Sequence, residues 1–164
     1  MIIIKKLVVG LVIMPVIILV IIISLFFVSP IINNISLNNF AKQLNKDSLP
    51  RKTNLVDKDA VCGKLNGNGN GMDFFACILI ESELSLEELD KHYKVQEFNT
   101  ARKSGRYNVR LDIIHANGYM LKTEHLEHQD VYFESLKNID DYSGYYVVII
   151  YDGGYPTYFD LRGN

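Results

Sequence analysis

The sequence predicts an α+β chain, with an N-terminal transmembrane helix followed by a small antiparallel sheet domain carrying one main helix. Three observations carry that prediction. Residues 7–28 hold no charged side chain. Ser85-Leu86-Glu87-Glu88-Leu89 has the form of a helix start. Beyond Ser85-Leu86, most apolar residues alternate or cluster in short runs separated by glycine, asparagine and aspartate, the punctuation of strands and turns.

The run from Leu7 to Val28 is filled almost wholly by isoleucine, valine, leucine and phenylalanine. A bilayer core takes about 20 apolar residues at about 1.5 Å each. Backbone groups in lipid must be satisfied internally, so such a run is helical despite its β-branched residues. Pro15, near its middle, predicts a kink. A cleaved signal peptide would have an apolar core of roughly 7–15 residues and a small-x-small site; this run is longer, and only Ser24 and Ser29 are small near its end. Lys5 and Lys6 precede the run and the next basic residue is Lys42. Positive flanks stay cytoplasmic. The expected location is therefore the cell membrane, single-pass, with the N-terminus inside and the C-terminal domain extracytoplasmic. The bilayer is the partner expected for residues 7–28.

The expected division is a cytoplasmic tip and anchor over 1–29, a stalk or linker over 30–50, and a folded domain over 51–164. In the linker Ile32, Ile35, Phe40 and Leu44 recur at helical spacing. Two readings stay open: an amphipathic continuation of the helix near the headgroups, or a disordered spacer. Pro50 disfavours helix at Leu49 and marks the boundary. All 19 acidic residues but only 15 of the 17 basic ones lie beyond the anchor. A mildly acidic domain without a basic stripe speaks against nucleic acid as a partner.

Within the domain, Val61–Leu65 and Met72–Glu81 read as strands joined by Asn66-Gly67-Asn68-Gly69-Asn70-Gly71. Ser85 as N-cap with Glu88 at N3 makes a capping box, and the helix should end near Val95. Val109, Leu111 and Ile113 alternate with charged residues as in a half-buried strand. Asn117-Gly118 predicts a hairpin returning over Tyr119–Thr123. Val131–Leu136 reads as a further strand, with a helix over 124–137 as the alternative. Tyr145–Tyr151 reads as a central strand, turned by Asp152-Gly153-Gly154, with Tyr155–Leu161 pairing back.

Cys62 and Cys77 are the only cysteines. In a hairpin centred on the Asn-Gly run they come nearly opposite. Directly opposed residues have Cα separations of about 4.5–5.5 Å, within disulfide reach, and closure would add about 3 kcal/mol in the chain-entropy model. Two buried free thiols are the alternative.

The candidate binding residues are Asn66, Gly67, Asn68, Gly69, Asn70 and Gly71, together with Tyr146, Tyr155 and Tyr158. Alternating glycines can turn several N–H groups one way to form an anion nest, although a plain flexible turn has the same composition and no Gly-Lys-Ser/Thr follows. Tyr142, Tyr145, Tyr146, Tyr151, Tyr155 and Tyr158 crowd one segment, and alternation puts Tyr145 and Tyr151 on one face and Tyr146 on the other. A tyrosine face left uncovered would suit protein or glycan contact; packing in the core or on the sheet surface is the alternative. Glu124–Asp130 gathers His125 and His128 without metal-site spacing. No catalytic residue, metal ligand or cofactor site is assigned; no Gly-x-Ser-x-Gly elbow is present.

The stretch Val61-Cys62-Gly63-Lys64-Leu65-Asn66-Gly67-Asn68-Gly69-Asn70-Gly71-Met72-Asp73, with Ser85-Leu86-Glu87-Glu88-Leu89, resembles small membrane-anchored bacterial proteins of uncharacterised function. The likeness covers about forty residues and implies no activity and no catalytic residue. The expected function is a non-enzymatic binding module of the cell envelope whose partner is another envelope protein or a cell-surface component, one form being an immunity-type protein. The alternatives are an envelope-acting hydrolase, which would need the Asn-Gly loop, His115 and the Glu124–Asp130 segment to converge, and a small structural subunit of a membrane complex.

Overall fold

The computed structural model describes residues 2–103 and 108–164. Helix α1 spans Ile2–Ala41. The strands are β1 (Thr53–Gly63), β2 (Met72–Ser82), β3 (Arg110–His115), β4 (Met120–Leu121), β5 (Val131–Tyr132) and β6 (Tyr145–Tyr155), and helix α2 (Leu86–Lys94) lies between β2 and β3. One sheet has the order β1-β2-β6-β3 with antiparallel pairs throughout. β4 and β5 form a separate two-stranded sheet. The α+β expectation holds.

Helix α1 is long and apolar enough to cross a membrane. Val16 to Ile23 face outward with nothing of the domain against them. Pro15 and Pro30 both lie inside it. The side chains of Lys5 and Lys6, on which the expected orientation rests, are outside the described residues.

The helix does not stop at the span. It runs on into the expected linker as far as Ala41, and one stripe of it and the turn after it belong to the domain. Phe26 meets Phe159 edge to face at 5.2 Å, Asn33 is buried, and Leu37, Phe40, Ala41 and Leu44 join the core beneath the sheet. Steps of three and four residues keep such positions on one helix face. Ile32 and Ile35, from the same apolar set, point away and stay exposed. The stalk up to Ala41 is thus a packed helix rather than a free spacer.

Strands β2 and β6 are buried on both faces, which explains their near-continuous apolar runs. One face carries Phe74, Ile78, Ile80, Val148 and Ile150 against α1 and α2. The other carries Phe75, Leu79, Val147 and Ile149 against Leu121, Val131, Phe133 and Leu136. α2 begins as expected: the Ser85 hydroxyl accepts the Glu88 N–H at 3.3 Å, and the Glu88 carboxylate accepts the Ser85 N–H at 2.9 Å.

Four local expectations change. The disulfide is not formed: Cys62 and Cys77 are both free and buried. Cys62 pairs with Phe74 and Cys77 with Asp59. An offset of three, being odd, also sends the thiols to opposite faces of the sheet. The cause is the loop. The last pair is Gly63 with Asp73, and the next N–H groups leave the ladder, Lys64 for the Arg162 carbonyl and Leu65 for the Asp73 carboxylate.

The second change is that the chain after Asn117-Gly118 does not return beside β3. β4 pairs with β5 instead, because Leu121, Val131 and Phe133 bury on the second face of the sheet. The alternative helix over 124–137 is not formed; a 3₁₀ turn spans Glu134–Leu136.

The third and fourth concern the C-terminal segment. Asp152-Gly153-Gly154 continues β6 rather than turning it. Gly153 packs on the Asp73 carboxylate and the Tyr151 ring with no room for a Cβ, and the Gly154 N–H bonds Asp73 at 2.9 Å. The glycines admit a register shift between Met72 and Phe74. Tyr155–Leu161 therefore does not pair back; it folds into a turn that ends in a 3₁₀ segment, Leu161–Gly163.

Candidate functional site

Two features stand out where α1 meets the sheet. The first is a buried polar junction. Asp160 sits fully enclosed at the start of the last 3₁₀ turn. Its carboxylate accepts the Asn33 amide at 2.6 Å and the Arg162 guanidinium at 2.7 and 3.0 Å. Arg162 also reaches back to α1, donating to the Asn34 side chain at 2.8 Å and to the Pro30 carbonyl at 3.3 Å. Arg102 donates to the Asn33 side chain and to the Pro156 carbonyl, and its guanidinium lies over the rings of Phe74, Tyr155 and Tyr158. Burial opposes the Asp160 charge, but the hydrogen bonds from Arg162 and Asn33 outweigh it and hold the carboxyl at about 2. A charged carboxylate shared between a helix and a C-terminal turn fixes one against the other.

The second feature is a groove of about 900 Å³ between the end of α1 and the edge strand β1. Leu44 and Leu55 supply apolar floor, and Lys42, Asp47, Lys58 and Asp59 supply charges of both signs. β1 has a free long side in the sheet order and a register shift between Leu55 and Asp57. Charges and a bulge discourage indiscriminate pairing at a sheet edge, so a strand added here must match them.

The Asn-Gly loop is held from within. Asn66 donates to the Glu124 carbonyl at 2.9 Å and the Gly67 N–H to the Glu127 carboxylate at 3.0 Å. His128 bonds the Gly67 carbonyl at 2.8 Å, and the Gly71 N–H goes to Gly163. The anion facing the nest is the chain's own Glu127. Asn68, Gly69 and Asn70 form the exposed tip.

The tyrosine face is covered. Tyr146 and Tyr155 are each 5% exposed and belong to the core under α1 and α2, so their expected role as surface contacts is corrected. The alternation itself holds, with Tyr145 and Tyr151 packed on the opposite face. Tyr155 is engaged inside, its hydroxyl donating to Asp152 at 2.5 Å. Tyr158 alone of the three is open, at 69%.

His125 is buried, bonded to Asp112 at 2.7 Å and stacked on Tyr151 at 4.4 Å, whereas His128 points to the loop. Among the described residues no group of three or more His, Cys, Asp or Glu side chains is placed to hold a metal ion. His115 pairs with Tyr146 while the loop end of the sheet pairs Met72 with Tyr155. Nine strand residues at about 3.3 Å each separate them by roughly 30 Å, so His115 does not join the Asn-Gly loop and the Glu124–Asp130 segment, which do meet. Burial pushes both thiols up, Cys77 most, away from reactivity.

Sequence reasoning missed the junction and the groove. The visible signals were Asn33-Asn34 directly after an apolar run, and Asp160 two residues before Arg162. No protein-family model matches the sequence, and comparison with curated proteins and with solved structures found no match.

Proposed function

We propose that this chain is a single-pass protein of the bacterial cell envelope, its N-terminus cytoplasmic and its α+β domain outside, and that the domain is a non-enzymatic module binding an extended segment of another envelope protein. The observation that carries the reading is the groove along β1, an edge strand with both charge signs and an apolar floor beside the membrane helix. Strand addition at such an edge draws affinity from main-chain hydrogen bonds and selectivity from flanking side chains. The internal commitments of His125, His128 and Glu127 favour binding over hydrolysis. Lys5 and Lys6 before the span support the orientation.

The test is photo-crosslinking in living cells from a reactive residue at Lys58, compared with one at Lys94 on α2. The reading predicts a discrete adduct from position 58 with one envelope polypeptide, reduced when the neighbouring groove charges are reversed by Lys42→Asp with Asp59→Lys. Equal adducts from both positions, or none from 58, would overturn it.

A further inference from the structure

We infer that the C-terminal turn, Tyr158 to Leu161, is a second membrane contact that seats in the interface of the leaflet from which α1 emerges. The inference rests on α1 crossing a bilayer, and it adds that the domain lies down on that bilayer rather than standing clear of it.

Phe159 packs edge to face on Phe26 at 5.2 Å, and Phe26 lies within the uncharged run. At about 1.5 Å per residue, Phe26 is roughly 10 Å deeper along the helix than Asn33. A turn that touches Phe26 must enter the level of the lipid around it. The side chains it carries suit that level. Tyr158 and Leu161 are 69% and 67% exposed, while Phe159 is half-buried against the helix. Aromatic residues with polar tips collect at this depth. Behind them, level with Pro30 to Asn34, stand Arg162 and Arg102. A guanidinium at that height stands at the level of the lipid phosphates. Along the helix Phe159 lies at the level of Phe26, the cations at the level of Pro30 to Asn34 and the domain beyond, which is the order of an interfacial anchor. The Asp160 junction holds the turn in place.

The chain has no tryptophan, so a single introduced indole reports its own depth. Full-length Phe27→Trp, Tyr158→Trp, Leu161→Trp and Val95→Trp would each be reconstituted in vesicles of phosphatidylcholine and phosphatidylglycerol. Emission would be quenched by lipids brominated at shallow or deep acyl positions, or by aqueous iodide. Positions 27, 158, 161 and 95 are exposed, so the fold tolerates each change. The expected result is deep-lipid quenching for position 27, shallow-lipid quenching with blue-shifted emission for 158 and 161, and iodide quenching alone for 95. If position 27 is quenched by lipid but 158 and 161 respond only to iodide, the second contact is refuted and the span survives. If position 27 is not quenched by lipid, the span fails and this inference fails with it.

Discussion

Asp160→Asn removes the charge at the centre of the junction and keeps the side chain's shape. In the native chain that carboxylate takes the Asn33 amide at 2.6 Å, the Arg162 guanidinium at 2.7 and 3.0 Å, and the Arg162 N–H at 3.1 Å. Hydrogen bonds to a charged partner contribute about 1.5–3 kcal/mol each, but Arg162 is partly open to water, which offsets some of the loss. The net cost should be about 2–3 kcal/mol, or a fall in Tm of roughly 6–15 °C for a domain of this size. The assay is thermal unfolding of the full chain in detergent micelles, followed by near-ultraviolet circular dichroism. Acid supplies a second reading. The folded Asp160 carboxyl sits at about 2 against an ordinary value of 3.8, so its ionisation stabilises the fold by about 2 kcal/mol. A depressed carboxyl contributes fully above its unfolded value and loses that contribution as pH falls through its folded value. The gap between native chain and variant should therefore be constant above about pH 4 and close as pH falls to about 2. A loss of Tm under about 2 °C, or a gap that does not narrow in acid, would refute the assignment of Asp160 as the lock.

Phe40→Ala should cost about 3–5 kcal/mol, because Phe40 is 1% exposed in the core under the sheet; chemical denaturation measures it, and a loss under about 1 kcal/mol would detach α1 from the domain. Ser85→Ala should cost about 1 kcal/mol by removing the hydroxyl that accepts the Glu88 N–H, read from the same denaturation curves, and an unchanged midpoint would refute the cap's contribution. Cys62 and Cys77 should both alkylate only on unfolding, and mass spectrometry after mild oxidation should find no intramolecular bond, since they sit on opposite faces of the sheet; a native disulfide would contradict the register.

The readable parts of the fold are those decided locally. Ser85 and Glu88 are three apart and make their cap without outside help. Met72–Ser82 and Tyr145–Tyr155 are central strands whose sequences need polarity on neither side, and their apolar runs say so. Most of β1 was hidden: Thr53 to Ala60 mixes Asp57, Lys58 and Asp59 with only Leu55, Val56 and Ala60 as apolar residues, and its register shifts midway. The glycines at 153 and 154 carry the same letters whether they turn a strand or let Asp73 approach it. The thiol pairing depended on a loop centre set by Arg162, a hundred residues downstream. The junction joins Asn33 to Asp160 across 127 positions, a link that neither period nor motif encodes. Tyr146 and Tyr155 read as surface because nothing nearby in sequence announces that α1 and α2 cover that face.

The central claim, a membrane-anchored domain facing outward, is met most directly by cysteine labelling in intact bacterial protoplasts. The background is Cys62→Ala with Cys77→Ala, and the reporter is Lys58→Cys in the groove. A membrane-impermeant maleimide should label it before lysis, in chain that stays with the membrane fraction after alkaline extraction. Labelling only after permeabilisation, or release of the chain by alkali, would contradict the account.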